Sequence, residues 1–311
     1  MKSSVITFKQ SLRGVWAAIP IPRQESGALD TGLFTEIVHR YKSEGVHGVY
    51  TTGTDGEMHE FELEEFCHMT GVFARAAEAA GIPAQSGCTW VNGEGSIKRA
   101  MYARDQGLSC VQVALPFWVT LKDQEILRYF ERLTETCPHV GIVHYNLAAT
   151  GRFLTGRDYQ VIQSVAPNLI GSKQTGGNVS SISEIVEATP DMHHFVVDTQ
   201  ILPGALLGAK GFYSFLVNLN PRFAVQMWDD CEQGNWTELS RKRRLVDSLF
   251  REWTGYHSLA SPAIVKVGAR LGIAPEIRLG IPHPYISGTE DQVGSLRTLM
   301  QNRFSELIYT K

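Results

Sequence analysis

Cysteine is sparse in this chain. Five residues (Cys67, Cys88, Cys110, Cys137 and Cys231) are scattered through 311 positions and form no Cys-x-x-Cys pair. An odd, dispersed set provides neither a disulfide framework nor a zinc-ribbon spacing, and it reads as reduced thiols in a cytoplasm. No run of 18 apolar residues occurs, so no membrane span is expected. The first ten residues carry lysine inside any would-be apolar core, which argues against a secretory leader. Excess charge of one sign is also missing. Lys and Arg number 29 against 32 Asp and Glu, for a net charge of -3. That balance leaves no electrostatic footprint for nucleic acid or an anionic membrane. The one basic cluster, Arg241-Lys242-Arg243-Arg244, falls in a helical stretch and reads as a solvated helix face or a subunit contact. No Gly-rich nucleotide fingerprint follows a strand, so no dinucleotide cofactor is expected. His193-His194 has no third ligand nearby in sequence and is not read as a metal site. Solenoid repeats and low-complexity tracts are absent too.

What is present is alternation. With 43% hydrophobic residues, the chain can bury a large core and suits one α/β barrel with an appendage. Strands are predicted at 14–20, 48–52, 83–88, 110–115, 141–145, 169–173, 194–198 and 211–215. They are nearly continuous in Val, Ile, Ala and aromatic residues, as a covered parallel sheet requires. Apolar residues at helical spacing fill the gaps, over 31–43, 62–80, 96–106, 123–136, 156–165 and 180–188. Eight such units predict a (β/α)8 TIM barrel, with an open doubly wound sheet as the competing arrangement. Further helices over 220–233, 236–252, 258–271 and 290–307 form a C-terminal helical appendage. Residues 1–219 are thus read as the barrel, and 220–311 as the final barrel helix with the appendage.

A closed parallel barrel works at the C-terminal ends of its strands. The sixth strand ends in Lys173, and the loop Gln174-Thr175-Gly176-Gly177-Asn178 follows at once. A lysine carried inward by an apolar run can serve as an amine nucleophile toward a carbonyl. A strand-end lysine pointing to solvent is the plainer alternative. The second strand ends in Thr51-Thr52-Gly53-Thr54-Asp55-Gly56-Glu57. Its glycines flank a hydroxyl residue and expose N–H groups suited to a carboxylate or oxyanion; an ordinary strand-to-helix turn is the alternative. The fifth strand ends in His144-Tyr145-Asn146, where Tyr145 is either a proton shuttle or a core tyrosine. His144 faces the opposite way, toward the helices. The fourth strand ends in Leu115-Pro116-Phe117-Trp118, either core or a pocket wall.

The combination of a Gly-Thr-x-Gly-Glu turn after strand 2, Tyr-Asn after strand 5 and lysine after strand 6 resembles one family. This is the dihydrodipicolinate synthase / N-acetylneuraminate lyase family of Schiff-base pyruvate enzymes. The resemblance runs from about Gly14 to Pro284 and includes Lys266-Val267-Gly268-Ala269-Arg270-Leu271-Gly272. It implies that Lys173 condenses with pyruvate or another 2-oxo acid, with Tyr145 as acid/base. It also implies that Thr54 holds the carboxylate and passes protons to the tyrosine. Gly53 and the backbone of Asp55 would supply carboxylate-binding N–H groups, and Tyr213 would form the wall over the pyruvyl methyl. No metal and no organic cofactor is implied, since the imine itself is the electron sink. The partners implied are a small 2-oxo acid and an aldehyde, and the assembly a homotetramer.

The departures bear on the substrate. The synthase carries two adjacent hydroxyl residues in the strand 2 turn; here the second is Asp55. It has a relay tyrosine after strand 4; here the segment reads Phe117-Trp118. It places a carboxylate-gripping arginine after the strand 5 tyrosine; here Ala149 stands at about that place, with Arg152 shifted. The Pro-Phe-Trp and Phe-Tyr-Ser segments look more similar to the family's hydratase-aldolases for benzylidenepyruvates. Trp118 and Tyr213 would then stack an aryl group or cap an apolar aldehyde. Three readings stand: a hydratase-aldolase-like lyase, a dihydrodipicolinate synthase, and a barrel that binds a 2-oxo acid without turnover.

Overall fold

A computed structural model describes residues 3–310. Met1 and Lys2, part of the stretch read as lacking a leader, lie outside the described residues. Eight strands close into one all-parallel barrel in chain order. They are β1 (Gly14–Ala18), β2 (Gly48–Thr51), β3 (Ala84–Gly87), β4 (Cys110–Val113), β5 (Gly141–Asn146), β6 (Leu169–Gln174), β7 (His193–Val197) and β8 (Gly211–Ser214). The helices are α1 (Ser3–Ser11), α2 (Thr31–Ser43), α3 (Leu63–Ala80), α4 (Gly93–Asp105), α5 (Asp123–Thr136), α6 (Gly156–Val165) and α7 (Val179–Ala188), continuing with α8 (Ile201–Leu206), α9 (Leu216–Leu219) and α10 (Pro221–Gln233). Then follow α11 (Trp236–Glu252), α12 (Thr254–Ser258), α13 (Ser261–Leu271) and α14 (Glu290–Arg303).

Period-two alternation divides the buried residues into two clusters. Val15, Val49, Val111 and Ile142 face the helices and join the large core there. Trp16, Tyr50, Val143, Phe195 and Tyr213 face the barrel axis. Aromatic rings fill that axis edge to face: Tyr50 and Tyr213 lie 4.9 Å apart at 89°, and Phe195 and Tyr213 lie 5.2 Å apart. From α1, which sequence patterning did not predict, Val5 joins the buried cluster of the axis and Phe8 packs against it.

Polar residues start the helices where the sequence places them. Asp30 accepts from the Leu33 N–H, Asn220 from the Phe223 N–H, and Thr155 with Asp158 forms a capping box. The helix predicted over 258–271 starts at Ser261 as α13, with the short α12 ending at Ser258 before it. Pro262 opens α13, which suits the first turn of a helix and not its middle. The helix predicted over 290–307 ends at Arg303, with a 3-10 turn after it. The basic cluster is paired within the chain. Arg241 pairs with Glu238 and Glu306, Lys242 is buried against Asp230 at 2.7 Å, and Arg243 meets Asp247 at 2.8 Å. No described helix is long and apolar enough to cross a membrane.

Candidate active site

Strands β5 and β6 pair so that Tyr145 and Lys173 are register partners. Parallel register partners project to the same side at the same height, so both side chains enter the barrel mouth together. Lys173 is 4% exposed. Its Nζ donates to the Tyr50 hydroxyl at 2.9 Å and lies 4.2, 4.7 and 4.9 Å from the ring centroids of Tyr145, Tyr50 and Tyr213. No carboxylate of the described residues forms an ion pair with it, so the nitrogen stays open to a carbonyl carbon. Burial pushes the Tyr50 phenol well above its usual range, with the nearby Asp55 carboxylate adding to the shift. Tyr50 therefore meets the amine as a neutral phenol. The Tyr145 hydroxyl lies 3.4 Å from Thr54 Oγ1, within reach of a proton handed between them.

A buried polar chain on the outer face braces these two residues. Asn146 brackets Leu154, donating to its carbonyl at 2.9 Å and accepting from its N–H at 2.9 Å. It also donates to Gln174 Oε1 at 2.9 Å. Gln174 donates to Ser172 Oγ at 2.6 Å, and Ser172 meets His194 Nδ1 at 2.8 Å. His194 Nε2 is held by Thr189 Oγ1 at 2.9 Å, so both its nitrogens are engaged within the fold. His144 faces the same layer and pairs with the Tyr159 hydroxyl at 2.8 Å. Residues on both sides of Lys173 and of Tyr145 are thus pinned. A β-strand has little freedom to roll when its outward neighbours are bonded in this way.

The turn after β2 is tight. Thr52 Oγ1 donates to the Gly87 carbonyl at 2.7 Å. A Cβ at Gly56 would come within 2.7 Å of the Thr52 nitrogen, and one at Gly53 within 2.6 Å of the Tyr50 ring. Only glycine lets the chain fold back there. Among the described residues, the Thr54 and Asp55 N–H groups donate to no protein acceptor. The Asp55 carboxylate accepts from Ser261 at the start of α13, so its charge is drawn toward the appendage.

Above Tyr145 lies a cavity of about 160 Å³ walled by Met58, Phe117, Leu147 and Ala149, with Thr54 and His59 at its edges. None of its lining residues is a lysine, arginine, aspartate or glutamate. Phe117 is the strand 4 aromatic that reaches this cavity. Trp118 does not: it is 82% exposed and lines a separate groove with Pro116, Val119 and Tyr129. Both residues lie in the loop between β4 and α5, and that loop turns Phe117 to the cavity beside Tyr145 and Trp118 to the other groove. Tyr213 lies beneath the amine and not in the cavity wall. Its hydroxyl donates to Gln85 Oε1 at 2.7 Å inside the barrel, so it forms floor under Lys173 and offers no open face to an aryl group. Arg152, the shifted arginine, is bound to Asp123 at 2.8 Å and Asp158 at 3.0 Å. It is committed to the helix N-termini and does not reach back.

Sequence reasoning missed Tyr50 and His59. Strand parity could have found Tyr50, since an inward position two residues before Thr52 must point up the axis. His59 gave no such signal, because it sits on a 3-10 turn (Met58–Glu60) rather than on a strand. Beyond the mouth, Asp198 follows β7 fully buried, accepting from Ser214 Oγ at 2.5 Å and from the Phe215 N–H at 3.1 Å. Burial lifts its carboxyl pKa to about 7, against these hydrogen bonds.

A closed parallel barrel with a buried lysine beside a tyrosine at its C-terminal mouth has the arrangement of a Schiff-base lyase. The family model described as the dihydrodipicolinate synthetase family matches residues 11–276, and the chain belongs to that family. Its members are class I lyases that work through a lysine–substrate imine without an external cofactor, and this protein is an enzyme of that class. That sets aside the reading as a non-catalytic binder. The chain is 30% identical over 246 residues to a 4-hydroxy-tetrahydrodipicolinate synthase of Methanosphaerula palustris, covering 76% of this chain and 82% of that protein. Solved structures share the fold at lower identity. Dihydrodipicolinate synthase from Aquifex aeolicus superposes with a TM-score of 0.86 at 19% identity, over 96% of this chain and all (100%) of that one. N-acetylneuraminate lyase from Fusobacterium nucleatum gives 0.83 at 20% identity, over 94% of this chain and 99% of that one.

Proposed function

We propose that the protein is an aldolase-type lyase in which Lys173 forms an imine with pyruvate or another 2-oxo acid, and that its second partner is an apolar or aromatic aldehyde. One observation carries the reading: the buried Lys173 amine is ringed by tyrosines, and one of them, Tyr145, lines a cavity that holds no lysine, arginine, aspartate or glutamate. In this scheme Nζ attacks the keto carbon, an amine proton passes through Tyr145 to the carbonyl oxygen, and a second proton from Tyr145 lets that oxygen leave as water as the nitrogen lone pair closes the cationic imine. The Thr54 and Asp55 N–H groups receive the carboxylate. The cationic imine then accepts the electron pair left when the methyl group loses a proton. The resulting enamine carbon attacks the aldehyde carbon, the new alkoxide takes a proton from the Tyr145–Thr54 pair, and water releases Lys173. The reverse sequence cleaves the same bond. Assembly as a homotetramer belongs to the same proposal, supported by the exposed Trp118 and Val119 beside the mouth.

Dihydrodipicolinate synthesis is the second reading, favoured by the names of the relatives. Against it stand Ala149 in the cavity wall and Arg152 held by two aspartates. A semialdehyde carboxylate would enter that cavity without a cationic partner, and a lost charge-assisted contact costs about 1.5–3 kcal/mol, or roughly one to two orders of magnitude in kcat/KM. The test is kcat/KM for aspartate semialdehyde against benzaldehyde, each with saturating pyruvate. Preference for benzaldehyde is expected; a tenfold or greater preference for the semialdehyde, on the order of 1.4 kcal/mol, makes this a dihydrodipicolinate synthase.

A further inference from the structure

The turn after β2 is held against its own conformational preference. Thr52 and Glu57 have φ of +52° and +54°, a left-handed region that residues with a Cβ seldom occupy. Glu57 is 1% exposed and is bound from two sides. Arg23, in the loop after β1, donates to Glu57 Oε2 through Nε at 2.8 Å and Nη2 at 2.6 Å. Lys266 of α13, also 1% exposed, places Nζ 2.6 Å from Glu57 Oε1 and donates to the Gly280 carbonyl at 2.6 Å. Two cations face one carboxylate, so a net positive charge lies behind the turn. A second link from α13, Ser261 to Asp55, draws the turn's only other carboxylate aside.

We propose that Lys266 is a positioning residue for the 2-oxo acid: through Glu57 it holds the turn in the conformation that presents the Thr54 and Asp55 N–H groups, and with Arg23 it sets positive charge behind them. The inference rests on the reading of Lys173 as the imine-forming residue. Its consequence is selective, since the turn serves the carboxylate and not the carbonyl. Loss of Lys266 weakens capture of a 2-oxo acid and spares a ketone that lacks the acid group.

Borohydride trapping at Lys173 tests this, with Lys266→Met and Arg23→Met titrated with pyruvate and with acetone, in which a methyl group replaces the carboxylate. Half-saturation by pyruvate is expected to rise roughly tenfold or more, the scale of a displaced binding group, while acetone trapping stays within about twofold, the range of an unconnected substitution. Equal weakening for both ketones would mean a merely structural role and overturns the proposal. So does unchanged half-saturation by pyruvate. Should Lys266→Met fail to fold, Arg23→Met decides the matter alone, because Arg23 contacts the same carboxylate from the more exposed side. Absence of trapping in the unaltered protein would instead refute the proposed function, so the two failures are distinguishable.

Discussion

Lys173 Nζ sits within 5 Å of three phenol rings, and their hydroxyls face different partners. Tyr50 accepts from the amine, Tyr213 donates to Gln85, and Tyr145 meets Thr54. Only Tyr145 lines the cavity as well, which makes it the phenol placed to exchange protons with a bound carbonyl. Tyr145→Phe should keep the fold, since it removes one hydroxyl whose hydrogen-bond partner among the described residues is Thr54 at 3.4 Å. Turnover should fall by roughly 100- to 10,000-fold, the usual worth of a positioned acid/base. Steady-state kcat with circular dichroism of the same preparation checks this; a near-normal kcat would leave Tyr145 as a packing residue.

Strands β5 and β7 and the turn after β7 carry buried titratable groups whose charge states oppose one another. Burial pushes His144 down to about 3 and His194 to about 4, while it lifts Asp198 to about 7. Between about pH 4 and 6.5 the unfolded chain binds a proton on each histidine that the folded chain does not. The folded chain binds one on Asp198 that the unfolded chain does not. Burial lowers His47 and His193 as well, so more protons are bound in the unfolded state than Asp198 binds in the folded one, and stability should rise with pH across this window. Asp198→Asn removes the opposing proton and should steepen that slope by about 1.4 kcal/mol per pH unit. Denaturant titrations at several pH values measure it, and an unchanged slope in Asp198→Asn would refute the account of the buried carboxyl. Much at this scale was legible in sequence. The eight strands lie within a few residues of their predicted limits, and helices over 31–43, 123–136, 156–165 and 236–252 match their predicted limits. Apolar runs and polar caps are local signals, and a barrel of sequential units follows from them. The plug helix α1 was missed because its apolar residues are few and pack only against the barrel axis. That Phe117 and not Trp118 lines the cavity was not legible, because sequence reveals that an aromatic is present but not which way a loop turns it.

At the scale of the whole molecule, the barrel supplies the reacting residues and the C-terminal helices brace the turn beside them. Ser261 and Lys266 lie more than 200 residues from Asp55 and Glu57 in the chain. No local pattern could announce those contacts, although the Lys266–Gly272 segment was visible as part of the family resemblance. The account as a whole depends on one bond, between Lys173 Nζ and the keto carbon of a 2-oxo acid. Reduction of the intact protein with borohydride in the presence of pyruvate, followed by mass analysis of the protein and its peptides, tests it most directly. The expected result is one pyruvyl unit per chain, carried by the peptide containing Lys173 and lost in Lys173→Ala and Lys173→Arg. An unlabelled Lys173, or a label confined to another lysine, would contradict the account.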